Sequence, residues 1–320
     1  MYKTKNITQS LLNLNNNLPI YICGHIKPDQ DCICACIALA EFLAYYKKQV
    51  YILINKNDEK IVSWKPTQKY FAESICHKDY AFVALDINET NRLGVYEQNY
   101  INAKFKFNID HHQGNETKAD FILDVPYASS TCEIVYTLIK RNNKKILTKD
   151  ICEYLYAGIF TDTNGLSRRL SPQTLLIIQD LLNAGIDYTY INRQTLTIRS
   201  MYEFLAMSKM ATEIVKEDNF HYLIVDRQKP EYVNLTHNTI TKKLAEDLRK
   251  IDEIKTFVII MIQQDKTIVG KVMTNTSDFA CDIAKLFGGG GHKKEAGFTT
   301  TSFTIDQILN LTNNFLNQKI

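Results

Sequence analysis

The chain has no long uninterrupted apolar run and no strong excess of charge of either sign. Its longest apolar stretch, Cys32 to Tyr46, is interrupted by Glu41 and is too short to span a bilayer. No long apolar run follows the N-terminal lysines, so we expect no signal peptide and predict a cytoplasmic protein. With 38 basic and 35 acidic residues, the formal net charge is +3, which argues against a protein that coats long nucleic acid. This balance still allows a small anionic substrate or a short oligonucleotide.

The sequence also lacks CxxC pairs, internal repeats and low-complexity linkers. Four of the eight cysteines crowd one segment near the N-terminus. Cys23 would end a strand, whereas Cys32 and Cys36 lie four residues apart on a predicted helix and Cys34 lies off that face. A cytosolic chain keeps its thiols reduced, and a buried thiol packs as a small apolar group. We therefore expect no structural zinc site.

The length of 320 residues is too great for one ordinary core and predicts two domains. The first two-thirds of the chain alternates short apolar runs with helical patterns. Its predicted strands are Pro19–Cys23, Val50–Ile54, Ala81–Leu85 and Phe105–Ile109. Alternating helices and continuously apolar strands are typical of a parallel sheet covered on both faces. We predict an α/β chain with a parallel-sheet domain at 1–188, a connecting helical segment at 189–217 and a smaller α/β domain at 218–320.

Capping residues mark the ends of several predicted helices. Ser130 with Glu133 predicts a capping box at a helix start. Ser171, Pro172 and Gly185 predict a helix from Pro172 to Ala184 with a capped start and a glycine stop. The other predicted elements are helices at 32–46, 200–217, 239–250, 277–287 and 305–316, and strands at 220–225, 257–262 and 268–273. The last two strands are predicted to pair as a hairpin.

Carboxylates and imidazoles recur where the predicted strands end or turn. The positions are His25, Asp29, Asp31, Asp86, His111 and Asp162. Ligands of open α/β sheets bind beyond the carboxyl ends of the strands, so these side chains could converge on one crevice. Four aspartates balance two divalent cations, and mixed carboxylate and imidazole ligation suits manganese, with magnesium, cobalt or zinc as alternatives. Each aspartate alone could be a cap or turn residue, but the joint pattern predicts a two-metal site for phosphate ester hydrolysis.

These motifs resemble those of the DHH phosphoesterase superfamily. Asp110-His111-His112 resembles its signature, and the other four motifs are matched by His25–Asp31, Asp86, Gly158–Thr163 and Gly288–Phe298. The resemblance covers nearly the whole chain. It implies a catalytic domain followed by a DHH-associated substrate domain. Length and layout are most similar to the compact bacterial members that act as nanoRNases and 3'-phosphoadenosine-5'-phosphate phosphatases.

The resemblance also implies a role for each matched position. One manganese ion would be held by His25, Asp29 and Asp86. The second ion would be held by Asp31, His111 and Asp162 together with the same Asp86. His112 would lie beside the scissile phosphate as an acid/base or charge-stabilising group, and Asp110 would orient an imidazole.

Substrate-binding residues are implied in both domains. In the second domain they are His292 and the glycines Gly289, Gly290 and Gly291, since glycine lets backbone N–H groups approach phosphate closely. Lys271 is the positively charged residue of the predicted strand that precedes this glycine segment in the chain. Glu295 adds a negative charge near the same place. Arg168 and Arg169 could contact phosphate or could be solvated loop charges.

The resemblance implies a manganese-dependent phosphoesterase that uses two-metal hydroxide attack. Its substrates would be short oligoribonucleotides, cut to mononucleotides, or 3'-phosphoadenosine 5'-phosphate, cut to AMP. Three alternatives stay open: a cyclic or linear dinucleotide phosphodiesterase, an inorganic pyrophosphatase and a non-catalytic nucleotide-binding protein. Members of the superfamily commonly have small residues and a glycine after the second aspartate of the first motif. The segment Cys32–Ala35, which follows Asp31, is closer to the variant in family II inorganic pyrophosphatases. We expect no membrane partner and no long nucleic acid, and a homodimer stays open.

Overall fold

The computed structural model describes residues 4–54, 65, 69–197, 200–235 and 239–319. It divides into two compact units, Met1–Ile198 and Arg199–Ile320. The division falls inside the predicted connecting segment at 189–217. Helix Met201–Thr212 belongs to the second unit, where Ala206, Met207 and Met210 are buried in that unit's core. None of the helices in the described residues has both the length and the apolar content to cross a membrane.

The first unit contains a six-stranded sheet. Its strands are β1 Ile20–Cys23, β2 Val50–Leu53, β3 Phe71–Ala72, β4 Ala81–Leu85, β5 Phe105–Asp110 and β6 Phe121–Asp124. Its α-helices are α1 Lys5–Asn13, α2 Gln30–Tyr45, α3 Glu97–Asn102, α4 Thr131–Asn143, α5 Lys149–Asp162, α6 Pro172–Asn183 and α7 Tyr188–Asn192. Shorter helical segments of the 3-10 and π types are Thr90–Tyr96, Lys144–Ile146 and Arg193–Thr197.

All strands of this sheet are parallel, in the order β3-β2-β1-β4-β5-β6. Successive side chains of β1 pack in different hydrophobic cores, because side chains along a strand point alternately to the two faces of the sheet. Ile22 packs in the core that contains residues of α2, α4 and α5, whereas Tyr21 packs with Tyr80 and Tyr100 on the opposite face. The predicted parallel sheet, covered on both faces, is confirmed.

The second unit contains a mixed six-stranded sheet. Its strands are β7 Val215–Lys216, β8 His221–Asp226, β9 Thr256–Ile262, β10 Ile268–Thr274, β11 Gly290–Gly291 and β12 Glu295–Thr300. Their order in the sheet is β11-β12-β10-β9-β8-β7. Its α-helices are α8 Met201–Thr212, α9 Ala245–Leu248, α10 Ala280–Lys285 and α11 Ile305–Asn317. The predicted pairing of β9 with β10 is confirmed as antiparallel, and β8 pairs with β9 in parallel.

Three predicted helices of the second unit are shorter than the apolar patterns suggest. The helix predicted at 200–217 ends at Thr212, and Val215 pairs instead with Tyr222 in the sheet. At 239–250, π-type turns over Thr239–Leu244 precede α9. The helix predicted at 277–287 begins only at Ala280, because the Ser277 carbonyl accepts a hydrogen bond from Thr274 Oγ1 at 2.7 Å and so closes a turn.

The two caps predicted in the first unit differ in outcome. Ser171 and Thr174 form a full capping box before α6, and Gly185 follows the helix with a φ of 77°. Ser130 caps α4 by accepting from the Glu133 amide, as predicted. The predicted return contact, in which the Glu133 side chain accepts from the Ser130 amide, is wrong. The Glu133 carboxylate accepts hydrogen bonds from Ser129 and Thr174 instead.

Candidate metal centre

Three neighbouring strands of the first sheet deliver predicted ligands to one edge. His25 follows β1, Asp86 comes directly after β4, and His111 comes directly after β5. These strands are adjacent in the order β1-β4-β5, and the direction of strand addition reverses between β1 and β4. Parallel strands end at the same edge of a sheet, and ligand sites occur where the order reverses. The topology therefore brings the three side chains together.

Two further aspartates come from helices. Asp31 lies in the first turn of α2, and Asp162 is the last residue of α5. The motif of Asp162 is predicted to lie at a strand end or a turn, whereas the structure places it at the end of a helix. Its preceding buried positions 151, 155 and 159 recur every four residues, which is the period of a helix face. The carboxylate nevertheless reaches the same edge of the sheet, with Oδ2 3.6 Å from His111 Nε2.

Asp86 lies between two imidazoles. Its Oδ2 is 3.4 Å from His25 Nε2, and its Oδ1 is 3.5 Å from His111 Nε2. The residue is buried and has a left-handed backbone, with φ of 60°, a conformation that aspartate tolerates better than most side chains. Thr131 Oγ1 donates a hydrogen bond of 2.9 Å to Oδ1. One carboxylate therefore presents a separate oxygen to each side of the centre.

Backbone carbonyls fix the orientation of both imidazoles. His25 Nδ1 donates to the Ile26 carbonyl at 3.0 Å, and His111 Nδ1 donates to the Ala128 carbonyl at 3.4 Å. In the neutral tautomer Nε2 then carries a lone pair, which faces the lone pairs of Asp86. Two lone pairs at this separation repel each other unless a proton or a metal cation lies between them. The geometry thus favours positive charge on both sides of Asp86.

The pKa shifts point to the same electrostatics. Burial alone would raise the pKa of Asp86, but hydrogen bonds and charge from His111 and His25 outweigh burial and hold it well below its usual value. Burial would lower the pKa of His111, yet the surrounding aspartates raise it to about 9. Burial would also lower the pKa of His25, but the hydrogen bond and the charge of Asp86 outweigh burial. The pKa of His25 is therefore raised. The site therefore stabilises cations strongly.

The N-terminus of α4 holds Asp31. The amides of Thr131 and Cys132 donate to Oδ2 and Oδ1 of Asp31 at 2.7 and 2.9 Å. These amides have no partner within their own helix, and the helix dipole adds a partial positive charge. Even so, burial and then the charges of Asp86 and Asp162 raise the pKa of Asp31 well above its usual value. A further cation beside Asp31 would relieve this repulsion.

Asp29 is less enclosed than the other predicted ligands. Its side chain is 53% exposed, with Oδ1 3.9 Å from His25 Nε2. The same oxygen accepts a hydrogen bond of 3.2 Å from the Cys32 amide and so caps α2. Asp29 therefore reaches the rim of the centre and also serves as a helix cap.

Asp110 and His112 form a hydrogen-bonded pair beside Asp86. His112 Nδ1 donates to Asp110 Oδ1 at 2.8 Å and lies 3.8 Å from Asp86 Oδ1. The Asp110 side chain is fully buried, whereas that of His112 is 41% exposed. Among the described residues, Asp110 Oδ2 has no hydrogen-bond partner. Asp110 therefore orients His112 and leaves one buried carboxylate oxygen unpaired.

The donor atoms form groups that could hold divalent cations. Those atoms lie within 4.8 Å of one another in three groups: His25, Cys32 and Asp86; Asp31, His111 and Asp162; and Asp86, Asp110, His111 and His112. Asp86 belongs to two of the groups. Oxygen and imidazole nitrogen donors suit manganese and other divalent cations. The residues therefore offer donor sets that fit divalent cations.

A cleft of about 400 Å³ in the first unit adjoins the paired histidines. Its lining includes His111, His112, Tyr127 and Arg169. Tyr127 is 70% exposed, so its ring is accessible. Arg169 Nη1 lies 3.2 Å from Asp162 Oδ2, whereas Arg168 Nε donates to the Asp162 backbone carbonyl at 3.4 Å. Of the two arginines, Arg169 faces the acidic side chains.

The substrate residues predicted in the second unit lie on a hairpin. Gly290 and Gly291 form β11, which pairs with β12 through Gly297 and Ala296. A Cβ at Gly289 would lie 2.2 Å from the Gly297 carbonyl, so packing alone requires that glycine, whereas a Cβ at Gly290 would meet open space. His292 is exposed at the turn, and Lys271 Nζ pairs with Glu295 at 2.5 Å.

Sequence reasoning missed two groups of this centre. Thr131 holds Asp86 and Asp31 through its hydroxyl and amide, yet the pattern around it indicates only a helix start. Cys32 lies with His25 and Asp86, whereas its helical position suggests an apolar core residue. Arg169 is a predicted phosphate contact together with Arg168, and its side-chain contact with Asp162 distinguishes it from Arg168.

Comparisons with known proteins agree with this geometry. Residues 19–159 match the DHH family, N-terminal domain. A Streptococcus mutans protein named "Probable bifunctional oligoribonuclease and PAP phosphatase NrnA" is 25% identical over 285 residues, which cover 88% of this chain and 90% of that protein. "Cyclic-di-AMP phosphodiesterase GdpP" from Bacillus subtilis is 23% identical over 313 residues, which cover 91% of this chain and 46% of that protein.

A solved structure shares the fold over nearly the whole chain. An exopolyphosphatase-related protein from Bacteroides fragilis matches with a TM-score of 0.82 at 20% identity, covering 97% of this chain and 94% of that one. The family match contains His25, Asp31, Asp86 and the Asp110–His112 motif, and it ends just before Asp162. The resemblance drawn from the motifs is confirmed over residues 19–159, which match the N-terminal domain of the DHH family.

Proposed function

We propose that this protein is a manganese-dependent phosphoesterase that cleaves short oligoribonucleotides to mononucleotides, or 3'-phosphoadenosine 5'-phosphate to AMP. The observation that carries the proposal is the position of Asp86, whose two oxygens face two different imidazoles at 3.4 and 3.5 Å. A carboxylate in that position can bridge two cations. The proposal follows the activities in the name of the Streptococcus mutans relative, which this chain covers over 90% of its length.

The ligands would divide as the family resemblance implies. His25, Asp29 and Asp86 would hold one divalent cation. The other would be held by Asp31, Asp86, His111 and Asp162. Two such cations polarise phosphoryl oxygens and lower the pKa of a water molecule. The α4 amides and Thr131 keep Asp31 and Asp86 in place before either cation binds.

His112 would exchange a proton with the reacting phosphoester. Its Nδ1–H is held by Asp110 at 2.8 Å, which fixes the tautomer and leaves Nε2 available. A partly exposed imidazole with Nδ1 anchored would take a proton from solvent at Nε2 and pass it to a leaving oxygen. Asp110 then acts as a positioning residue, because its buried carboxylate orients the ring.

The cleft beside the histidines favours a nucleotide over inorganic pyrophosphate. Tyr127 offers an accessible aromatic ring at the centre, and bases stack on such rings without regard to sequence. Arg169 in the same cleft offers a guanidinium group to a phosphate. Pyrophosphate has no base and would gain nothing from Tyr127.

A dinucleotide phosphodiesterase is the second candidate. The match to the Bacillus subtilis protein, named for cyclic-di-AMP hydrolysis, covers 91% of this chain. The chain spans only 46% of that protein, however, and 90% of the Streptococcus mutans relative. Hydrolysis of cyclic di-AMP distinguishes this candidate from the first.

The test is turnover on a matched panel with Mn²⁺. The panel contains labelled di- to pentaribonucleotides, 3'-phosphoadenosine 5'-phosphate, cyclic di-AMP and pyrophosphate. We expect release of mononucleotides or AMP from the first two, and a loss of more than about a hundredfold in Asp86→Asn. Asp150→Asn is the control, because it neutralises an aspartate of an exposed ion pair in the same unit. Turnover of pyrophosphate alone, or equal turnover in Asp86→Asn, would refute the proposal.

A second comparison tests the nucleotide cleft. Tyr127→Ala should raise KM for dinucleotides about tenfold, because stacking of one base contributes about 1–3 kcal/mol. Tyr45→Ala removes another exposed tyrosine of the same unit, which is 52% exposed, and should leave KM unchanged. Equal KM values in the two variants would exclude Tyr127 as the stacking residue.

A further inference from the structure

One sulfur atom lies among the nitrogen and oxygen donors of the metal centre. Of the three donor groups that the described residues form, one contains a thiol, and its members are His25, Cys32 and Asp86. Their donor atoms lie within 4.8 Å of one another. Cys32 is only 1% exposed, so its sulfur is shielded from bulk solvent. The ligand sets that the family resemblance implies do not use this sulfur.

The backbone at Gly24 makes room for the sulfur. Gly24 follows β1 and directly precedes His25. A Cβ on Gly24 would lie 1.9 Å from Cys32 Sγ and 3.4 Å from the carbonyl oxygen of Leu85, the last residue of β4. Asp86 comes directly after Leu85. The sulfur therefore lies at the ends of two adjacent strands, close to where the side chains of His25 and Asp86 begin.

The donors around His25 form a set of four. Cys32 contributes a buried sulfur, and Asp86 Oδ2 is 3.4 Å from His25 Nε2. Asp29 Oδ1 is 3.9 Å from the same nitrogen, but the Asp29 side chain is 53% exposed and already accepts a hydrogen bond from the Cys32 amide. We call these four residues the His25 site. One thiol, one imidazole and two carboxylates are a donor set that tetrahedral zinc accepts.

The other half of the centre has no sulfur in its donor group among the described residues. That group consists of Asp31, His111 and Asp162 and offers oxygen and imidazole nitrogen. We call these residues, together with Asp86, the His111 site. Oxygen-rich sites suit manganese and magnesium, whereas thiolates select zinc and other soft cations. Zinc and cobalt also bind a given nitrogen and sulfur site more tightly than manganese does. The two sites therefore differ in the cation that they favour.

We propose that Cys32 is a further ligand of the cation held by His25 and Asp86, and that its sulfur makes the His25 site prefer zinc or cobalt over manganese. The inference rests on the proposed function, because it assigns one of the two cations of that activity. The Cys32 thiol gives its proton to the solvent as the cation binds. The centre then holds two different cations, with zinc or cobalt in the His25 site and manganese in the His111 site.

The experiment titrates the metal-free full chain with Co²⁺, which substitutes for zinc and absorbs light. We expect a sulfur-to-cobalt charge-transfer band in the near ultraviolet that saturates once the His25 site is filled. The band should disappear in Cys32→Ser, because the hydroxyl that replaces the thiol gives no such transition. It should also disappear in His25→Gln, because the imidazole holds the same ion. Zn²⁺ should displace Co²⁺ and remove the band, whereas Mn²⁺ at the same concentration should not.

Metal affinities provide a second measurement. Loss of a group that only supports a ligand typically weakens metal binding about 10–100-fold, so loss of the sulfur itself should weaken Zn²⁺ binding at least about tenfold in Cys32→Ser. Mn²⁺ binding should change much less, because manganese favours the oxygen that the serine offers. Competition with a chromophoric chelator gives the Zn²⁺ affinity, and electron paramagnetic resonance of free Mn²⁺ gives the Mn²⁺ affinity.

Two matched controls are available in the same unit. Cys36→Ser removes another buried thiol of α2, one helical turn beyond Cys32, and Cys76→Ser removes an exposed thiol. Neither cysteine belongs to a donor group of the described residues, so both variants should keep the cobalt band. Thermal unfolding of each metal-free variant reports whether it folds. If Cys32→Ser is unfolded, His25→Gln decides the question, because Cys32 is the cysteine of the His25 donor group.

The outcomes separate this inference from the proposed function. Absence of the band at saturating Co²⁺, or its persistence in Cys32→Ser, overturns the inference; if ribonucleotides are still cleaved, the function stands. Equal weakening of Zn²⁺ and Mn²⁺ binding in Cys32→Ser overturns the metal preference, since Cys32 would then act through packing alone. The expected band without cleavage of any panel substrate, with Mn²⁺ and Zn²⁺ supplied singly and together, keeps the sulfur ligand and refutes the proposed function.

Discussion

Replacing Gly158 by alanine should disturb the metal centre more than the fold. Gly158 lies in α5, and a Cβ there would approach Cys132 Sγ to 2.2 Å and Asp31 Oδ1 to 2.8 Å. Real Cβ atoms do not tolerate such distances, so α4 or the Asp31 carboxylate must move. Overpacking costs about 1–3 kcal/mol, whereas removal of a helical glycine gains about 1 kcal/mol. The free energy of unfolding should therefore fall by about 0–2 kcal/mol.

The effect on metal binding should be larger. Both oxygens of Asp31 are held by α4 amides at 2.7 and 2.9 Å, and the added methyl group pushes against one of them. Misplacing a ligand in this way typically weakens metal affinity about 10–100-fold. Denaturant unfolding measures the free energy of unfolding. The Mn²⁺ affinity is measured by titration, in which free Mn²⁺ is followed by electron paramagnetic resonance.

A double variant separates the two contacts. Cys132→Ala combined with Gly158→Ala removes the sulfur at 2.2 Å but leaves the carboxylate at 2.8 Å. We expect this pair to recover stability relative to Gly158→Ala alone and to keep the weakened metal affinity. Unchanged Mn²⁺ affinity in Gly158→Ala would refute the reasoning that Asp31 needs the space above this glycine.

Three further predictions concern buried polar groups. Thr131→Val removes the hydroxyl that donates to Asp86 at 2.9 Å and should weaken Mn²⁺ binding about tenfold, whereas Thr131→Ser should not; equal titration curves would contradict this. Glu133→Ala leaves the hydroxyls of Ser129 and Thr174 without their acceptor and should lower the free energy of unfolding by at least about 2 kcal/mol in urea, with Glu133→Gln intermediate. The pKa of His111 is raised from 6.5 to about 9, so its contribution to metal-free stability is complete below pH 6.5 and is lost as pH rises through 9. Stability in EDTA should fall over that range, and His111→Gln should flatten the fall; an unchanged slope in that variant would exclude His111 as its source.

Local patterns were sufficient to predict much of the fold. Continuous apolar runs indicated β1, β2 and β4, because a strand buried on both faces needs apolar side chains at every position. Ser171 and Pro172 predicted the start of α6, since capping depends on neighbours within one turn. Short elements such as β3, β7 and β11 were missed. Two residues carry no period, and their pairing partners lie elsewhere in the chain.

The candidate ligands were also predictable, but their setting was not. His25, Asp86 and His111 follow strands, and parallel strands end together, so their meeting at one edge follows from topology. The support that Asp31 receives from α4 depends on contacts about 100 residues apart in sequence, at Thr131 and Cys132. No local rule identifies such a partner.

The sequence by itself determined the family motifs, the parallel sheet and the types of donor atom at the centre, because residue identity and short-range periodicity decide all three. Only the tertiary structure decided that Arg169 rather than Arg168 faces Asp162, and that Glu295 lies between Arg249 and Lys271. Neighbouring residues of equal charge differ in direction only once the backbone is folded. The distance between charges on separate elements depends on how those elements pack, which is a property of the whole unit.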